Sequence, residues 1–420
     1  MVRQLFPDRA LRDIPGEVRR RLAASPLAAR LNPGARVAIG VGSRGITNLA
    51  TIVRAVVDYW KDAGMQPFLF PAMGSHGAAT AEGQAAVLGH YGVTAAAMGC
   101  PLISQLDVVP LGSTPEGIQT FMDRNAYQSD GVMLVGRVKW HTDFDSDIES
   151  GLYKMAAIGL GKFAGAQKYH AWGLQLGMGH VVRTVGRTVL DSGKILGGLA
   201  ILEDAYHHTA GLDVVPVELM EIREKENLAT VKSWAGRIPL DLDILILDET
   251  GKNISGTGMD TKIINRTNTA IYNAWPGAPK IRRIFVRDLS ALTYGNAVGI
   301  GMVDVATDRL VDRIDWNATR INALTAGNPA SIRTPIHFPT DRECLESLIP
   351  TIPRFDFEKE AYIGWIRNTL ELARLALSEN LRPQIEANPL LEITGGPVEM
   401  PFGEDGNLVS PFAAQTASAH

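Results

Sequence analysis

Cysteine is nearly absent, with two residues in 420, Cys100 and Cys344. They stand far apart and match no zinc or Cys-x-x-Cys spacing. This excludes a disulfide framework and leaves two reduced, buried thiols, as a cytosolic compartment allows. Neither sign of charge prevails. A net charge of -4 excludes a basic, phosphate-tracking surface, so no nucleic-acid partner is expected. No run approaches the roughly 18–20 apolar residues of a membrane helix. The opening stretch MVRQLFPDRALRDIPGEVRRRL lacks the apolar core of a signal peptide. These absences point to a soluble, cytoplasmic protein with no membrane partner.

Hydrophobic residues and glycine are plentiful: 45% of the chain is apolar and 42 residues are glycine. That is the profile of a globular α/β protein, and the length asks for two or three domains. Residues Ala35–Val41 (ARVAIGV) read as a strand, followed by a Gly-Ser-Arg-Gly turn. Leu49, Ile52, Val53, Val56, Val57 and Trp60 then recur at helical spacing. A second strand, Pro67–Pro71, runs into Gly-Ser-His-Gly, and Thr80 can cap the helix that follows. A third strand, Gly131–Val138, ends in Lys-Trp-His. Strand, turn and helix alternate as in a mostly parallel sheet wound by helices.

The Gly-rich stretch from Lys154 to Tyr206 resists assignment by period. A charged helix near Val217–Val231 precedes Ser233-Trp234-Ala235-Gly236, a domain boundary. A second α/β unit opens with strand Asp243–Leu247, its loop GKNISGTGMD and strand Arg282–Val286. Tyr362–Asn380 reads as a helix that packs back on the first domain. The expected organisation is therefore two α/β domains, residues 1–236 and 237–400, around an interdomain cleft, with a tail at 401–420.

In open α/β sheets ligands bind beyond the carboxyl ends of the strands. Those ends carry Arg44, then His76, then Lys139 with His141. Arginine offers a planar fork for a carboxylate. Histidine takes and returns protons near neutrality. Two histidines on opposite sides of one carbon would suit a reaction that inverts it.

Gly74-Ser75-His76-Gly77, Val138-Lys139-Trp140-His141, Gly151-Leu152-Tyr153-Lys154 and Lys168-Tyr169-His170 come in an order and spacing that resemble the nickel-pincer, lactate racemase-like family. The resemblance covers most of the first domain and continues weakly into GKNISGTGMD. It implies a racemase or epimerase acting on a small 2-hydroxy acid. The implied cofactor is a pyridinium mononucleotide that carries nickel, and proteins that build it would be partners. By the match His170 would ligate nickel, Lys154 would lie against the cofactor and could be joined to it, and His76 and His141 would be the acid/base pair. Arg44 would hold the substrate carboxylate. Ser43, Gly74, Ser75, Gly77 and Lys139 would flank the nucleotide. The family chemistry moves the α-hydrogen as hydride and returns it to the opposite face. The family has an acidic residue three before the arginine, where this chain has Val41, and Gly-Gly-Arg-Lys where it has Gly-Leu-Tyr-Lys; TDFDSDIES is inserted after His141.

Other features compete. Asp143, Asp145 and Asp147 imitate the start of a calcium loop, but Ile148 and Lys154 stand where Gly and Glu are needed. Gly159–Ala164 spells GxGxxA, which supports an alternative, an NAD(P)-dependent 2-hydroxy-acid oxidoreductase, although no acidic residue follows at the required distance. His207-His208 could bind metal, but neighbours on a strand point to opposite faces. His90 and His180 read as structural. Lys252, in the Gly-rich loop of the second domain, is the further substrate-binding candidate. A non-catalytic nucleotide- or carboxylate-binding protein is the remaining reading, and the oligomeric state is left open.

Overall fold

The computed structural model describes residues 1–42 and 45–412. Two compact units emerge, Asp8–Ala235 and a second made of Met1–Pro7 with the chain from Gly236 onward. Both are α/β with mostly parallel sheets.

Among the described residues there are fifteen strands, most of them separated by helices. The unit Asp8–Ala235 contains β2 (Arg36–Val41), β3 (Gln66–Pro71), a separate hairpin of β4 (Val108–Ser113) and β5 (Gln119–Asp123), then β6 (Gly131–Arg137), β7 (Ile195–Glu203) and β8 (Thr209–Pro216). Its main sheet runs β3-β2-β6-β7-β8, parallel except for β8. The central strands are apolar throughout because both faces are covered. Val37, Ile39 and Val41 pack with Ile52, Val56 and Trp60 in one layer. Ala38, Leu134 and Ala200 pack with Leu152, Ala156 and Val185 in the other. Period 2 in the strand thus meets period 3.6 in the helix on each side.

The chain leaves β2 for β3 on one side and returns to β6 on the other. That reversal makes the β2/β6 boundary a topological switch point, where loops diverge and leave a crevice. The helix expected after Ala35–Val41 is Leu49–Asp62, and the helix capped by Thr80 is Ala81–His90, with the Thr80 side chain accepting the Gly83 amide. The stretch that resisted assignment is helical as far as Leu190 and then forms β7. Its helical part comprises Leu152–Lys154, a π-helical turn Met155–Gly159, then helices Lys162–Leu176 and Met178–Leu190.

The other sheet runs β12-β11-β10-β9-β13-β14-β1-β15. Its strands are β1 (Val2–Gln4), β9 (Leu242–Thr250), β10 (Ile281–Leu289), β11 (Val305–Thr307), β12 (Ile336–Phe338), β13 (Ile363–Ile366), β14 (Arg374–Leu377) and β15 (Leu391–Ile393). Residues Met1–Pro7 therefore join this sheet rather than the unit that follows them in sequence. The helix expected over Tyr362–Asn380 is not formed. Asn368 Oδ1 accepts the amides of Leu370 and Glu371, and this side-chain turn separates β13 from β14. The stretch lies in the second unit's sheet, so it is not a helix returned to the first. Of the expected tail, residues 401–412 are built into this unit, with Leu408 and Phe412 buried in its core.

Candidate functional site

The Lys154–His170 segment lies across the carboxyl ends of β2, β3 and β6. Met155 Sδ fills the space beside Gly136, where an added Cβ would come within 2.1 Å, and is 3.6 Å from the Cβ position of Gly42. Gly159 abuts the Ala72 carbonyl so closely that a Cβ would sit 2.6 Å from it. At Gly159 the obstacle is backbone, so this close approach of the segment to Ala72 requires glycine. The Leu160 amide bonds to Met155 O at 2.9 Å, a π-type closure of a kind frequent at functional sites.

His76 follows β3 and is half-buried, its amide bonded to Met73 O at 3.1 Å. Gly74 has φ +60, and its Cβ position would be 3.1 Å from Ile158 Cγ2 and 3.8 Å from Ala166 Cβ. Ile158 is one helical turn beyond Lys154, and Ala166 one turn before His170. The Gly-Ser-His-Gly loop therefore beds between the positions that carry the lysine and the third histidine. Ala78 and Ala79 follow at φ 55 and 56, left-handed backbone that alanine rarely adopts.

His170 reaches solvent, yet the protein around it and the Lys154 ammonium push its pKa below the ordinary imidazole range. Desolvation by the surrounding protein is the larger cause and the lysine the second. A ring kept neutral is the form that ligates a metal.

His141 sits in a loop closed by the Lys139–Ser150 bridge, with Lys139 N to Ser150 O at 2.8 Å. The insert TDFDSDIES folds around the buried carboxylate of Glu149. That group accepts the His141 amide at 2.5 Å and the Ser146 amide at 3.3 Å, and pairs with Lys232 at 2.5 Å. The His141 ring stacks on Phe144 at 4.3 Å, and its Nδ1 accepts the Asp143 amide at 3.0 Å. The neutral ring then carries its proton on Nε2. Asp145 and Asp147 pair with Lys232 and Lys225, so the insert is an ion-paired loop, not a calcium site.

Glu224 anchors the lysine's turn from below. Fully enclosed, it accepts the Leu152 amide at 3.2 Å, and Gly151 leaves it room. Burial raises its pKa to about 7, and Oε1 has no hydrogen-bond partner, as a neutral carboxyl tolerates.

Ser43 and Arg44 lie outside the described residues. The residues beyond them are held firmly: Arg137 donates to Gly45 O at 2.6 Å and to Glu203 at 2.5 Å, and Glu203 accepts the Thr47 amide at 3.0 Å. Lys252 belongs to the other unit, where its ammonium meets Asn322. Of the GxGxxA run, Gly159, Leu160, Gly161 and Lys162 are buried, while Phe163 is exposed and Ala164 half-buried. Among the described residues, Asp8, Asp204 and His208 have ligand atoms within 4.8 Å of one another, but the Asp204 oxygens already take the amides of Arg9, Tyr206 and His208. His207 takes no part in that group.

Sequence reasoning passed over Lys162, Glu149, Glu224 and the Arg137–Glu203 pair. A lone lysine inside the apolar run Met155–Ala166 was a readable signal, since a buried charge demands a partner. Glu224 sits among the charges of EIREKEN and gave none.

Among solved structures the chain resembles the lactate racemase apoprotein from Thermoanaerobacterium thermosaccharolyticum. The TM-score is 0.53 at 11% identity, over 89% of this chain and 99% of that one. The likeness is one of fold. No protein-family model matches the chain, and no curated protein matches it in sequence. Among the described residues no helix is long and apolar enough to cross a membrane, and both cysteines are free and buried.

Proposed function

We propose that this protein is a racemase or epimerase that inverts C2 of a small 2-hydroxy acid with a nickel-bearing nucleotide. One observation carries the reading. Gly74, at the start of the His76 loop, packs against Ile158 and Ala166, each one helical turn from Lys154 or His170, in a fold like that of lactate racemase.

The donor set suits the cofactor. His170 offers a ring of lowered basicity to a metal, Lys154 stands beside it, and nickel accepts imidazole nitrogen. When bound, the cofactor would supply a two-electron acceptor and donor for the α-hydrogen. The chain's own residues do the rest. His76 takes the hydroxyl proton of one enantiomer, and Nε2–H of His141 donates to the same oxygen. For its own turn as base at Nε2, His141 must carry its proton on Nδ1 and so release the Asp143 amide. Arg44 binds the carboxylate. Proteins that assemble the cofactor are the partners this requires.

The test uses the full chain produced together with such proteins. His170→Ala should leave the protein folded and without nickel. His76→Ala and His141→Ala should keep nickel and lose roughly 100- to 10,000-fold in enantiomer interconversion. Normal turnover in either variant overturns the two-base assignment.

A further inference from the structure

Lys162 is fully buried, opens the His170 helix and has φ 51. Its ammonium lies 2.6 Å from the carbonyl of Pro71, the last residue of β3. It is 3.2 Å from Gln84 Oε1 and 3.3 Å from Asp123 Oδ2. Asp123 is equally buried. Its Oδ1 accepts the Ala126 amide, and Oδ2 has the ammonium as its counter-charge without a hydrogen bond. Gln84, also buried, turns its amide nitrogen to the backbone of the catalytic loop, reaching Gly74 O at 2.8 Å and His76 O at 3.3 Å. The Phe70 ring, 5.8 Å away, closes the apolar side.

A fold that only needed to fill this volume would use methionine or leucine. Enclosed ion pairs add little net stability over packed apolar groups, and their better-attested use is to select one arrangement. This one joins four elements at a point: the end of β3, the end of β5 through Asp123, the loop of His76 through Gln84, and the first turn of the helix that carries His170 eight residues later.

We infer that Lys162 is a positioning residue, fixing the His76 loop against the His170 helix through Gln84. The assignment rests on the reading of His76 and His170 given above, whereas the clamp on residues 74–79 can be measured without it.

Lys162→Met alone would strand the Asp123 carboxylate, so the informative variant is Lys162→Met with Asp123→Asn. Gln84→Glu is the second variant. It keeps an acceptor for the ammonium and removes the donor to Gly74 and His76. Hydrogen exchange of the full-length protein without cofactor is followed at residues 74–79, with β6 as the internal standard. Both variants should exchange the loop at least about tenfold faster while β6 stays protected. In the cofactor-loaded protein, kcat should fall about tenfold or more with KM within about twofold. Unchanged loop exchange in Gln84→Glu overturns the clamp, and that variant decides alone if the double variant does not fold. Faster loop exchange in a loaded protein with no interconversion at all supports the clamp and rejects the racemase reading. Interconversion with loop exchange and kcat both unaltered does the reverse.

Discussion

Glu224 shows how one carboxyl can tie the lysine's turn to pH. Its folded pKa, about 7, stands above the ordinary carboxylate value because burial disfavours the charge. Below pH 4.5 the group is protonated in both states and contributes no pH dependence. Between pH 4.5 and 7 the unfolded chain has released the proton that the folded chain keeps, so stability falls as pH rises. The loss is about 3 kcal/mol, complete above pH 7. Glu224→Gln should flatten this part of the profile, matching the parent near pH 5 and exceeding it near pH 8 in urea unfolding. Parallel curves for the two proteins would show that Glu224 is ionised in the fold. The candidate histidines His76, His141 and His170 and Lys154 could be named from sequence because each stands at the end of a readable strand or in a spaced motif. Glu224, Glu149 and Lys162 were not, since whether a charge is solvated or enclosed depends on neighbours about 40 to 90 positions away.

At the scale of elements, the insert after His141 is a loop wound on one carboxylate. Glu149→Ala removes the acceptor of the His141 and Ser146 amides together with the partner of Lys232. The expected cost is about 2 kcal/mol, with faster amide exchange confined to residues 141–150. Exchange equal to the parent's across that span would show that the Lys139–Ser150 bridge holds the loop unaided. The strands β2, β3, β6, β9 and β10 were legible because buried parallel strands are unbroken apolar runs between turns. Met155–Gly159 was not, because a Gly- and Ala-rich segment pressed on strand ends is apolar on all sides and shows no period. Tyr362–Asn380 misled in the opposite way. It reads as a helix, while the Asn368 turn and pairing with β1 and β13 make Arg374–Leu377 a strand.

The whole molecule is two α/β units, and the first sheet reverses its strand order beneath the lysine–histidine segment. Sequence pattern led to the fold class, but could not reveal that Met1–Pro7 completes the distant sheet, since three residues carry too little period to choose a partner. The central claim, inversion of a 2-hydroxy acid at this switch point, is tested most directly by stereochemistry. The cofactor-loaded protein is given single enantiomers of small 2-hydroxy acids bearing deuterium at C2, and the products are resolved on a chiral column with mass detection. The account predicts that for at least one acid both enantiomers appear, deuterium is retained, and no keto acid accumulates. A protein that binds nickel at one per chain yet leaves every acid in its starting configuration would contradict it.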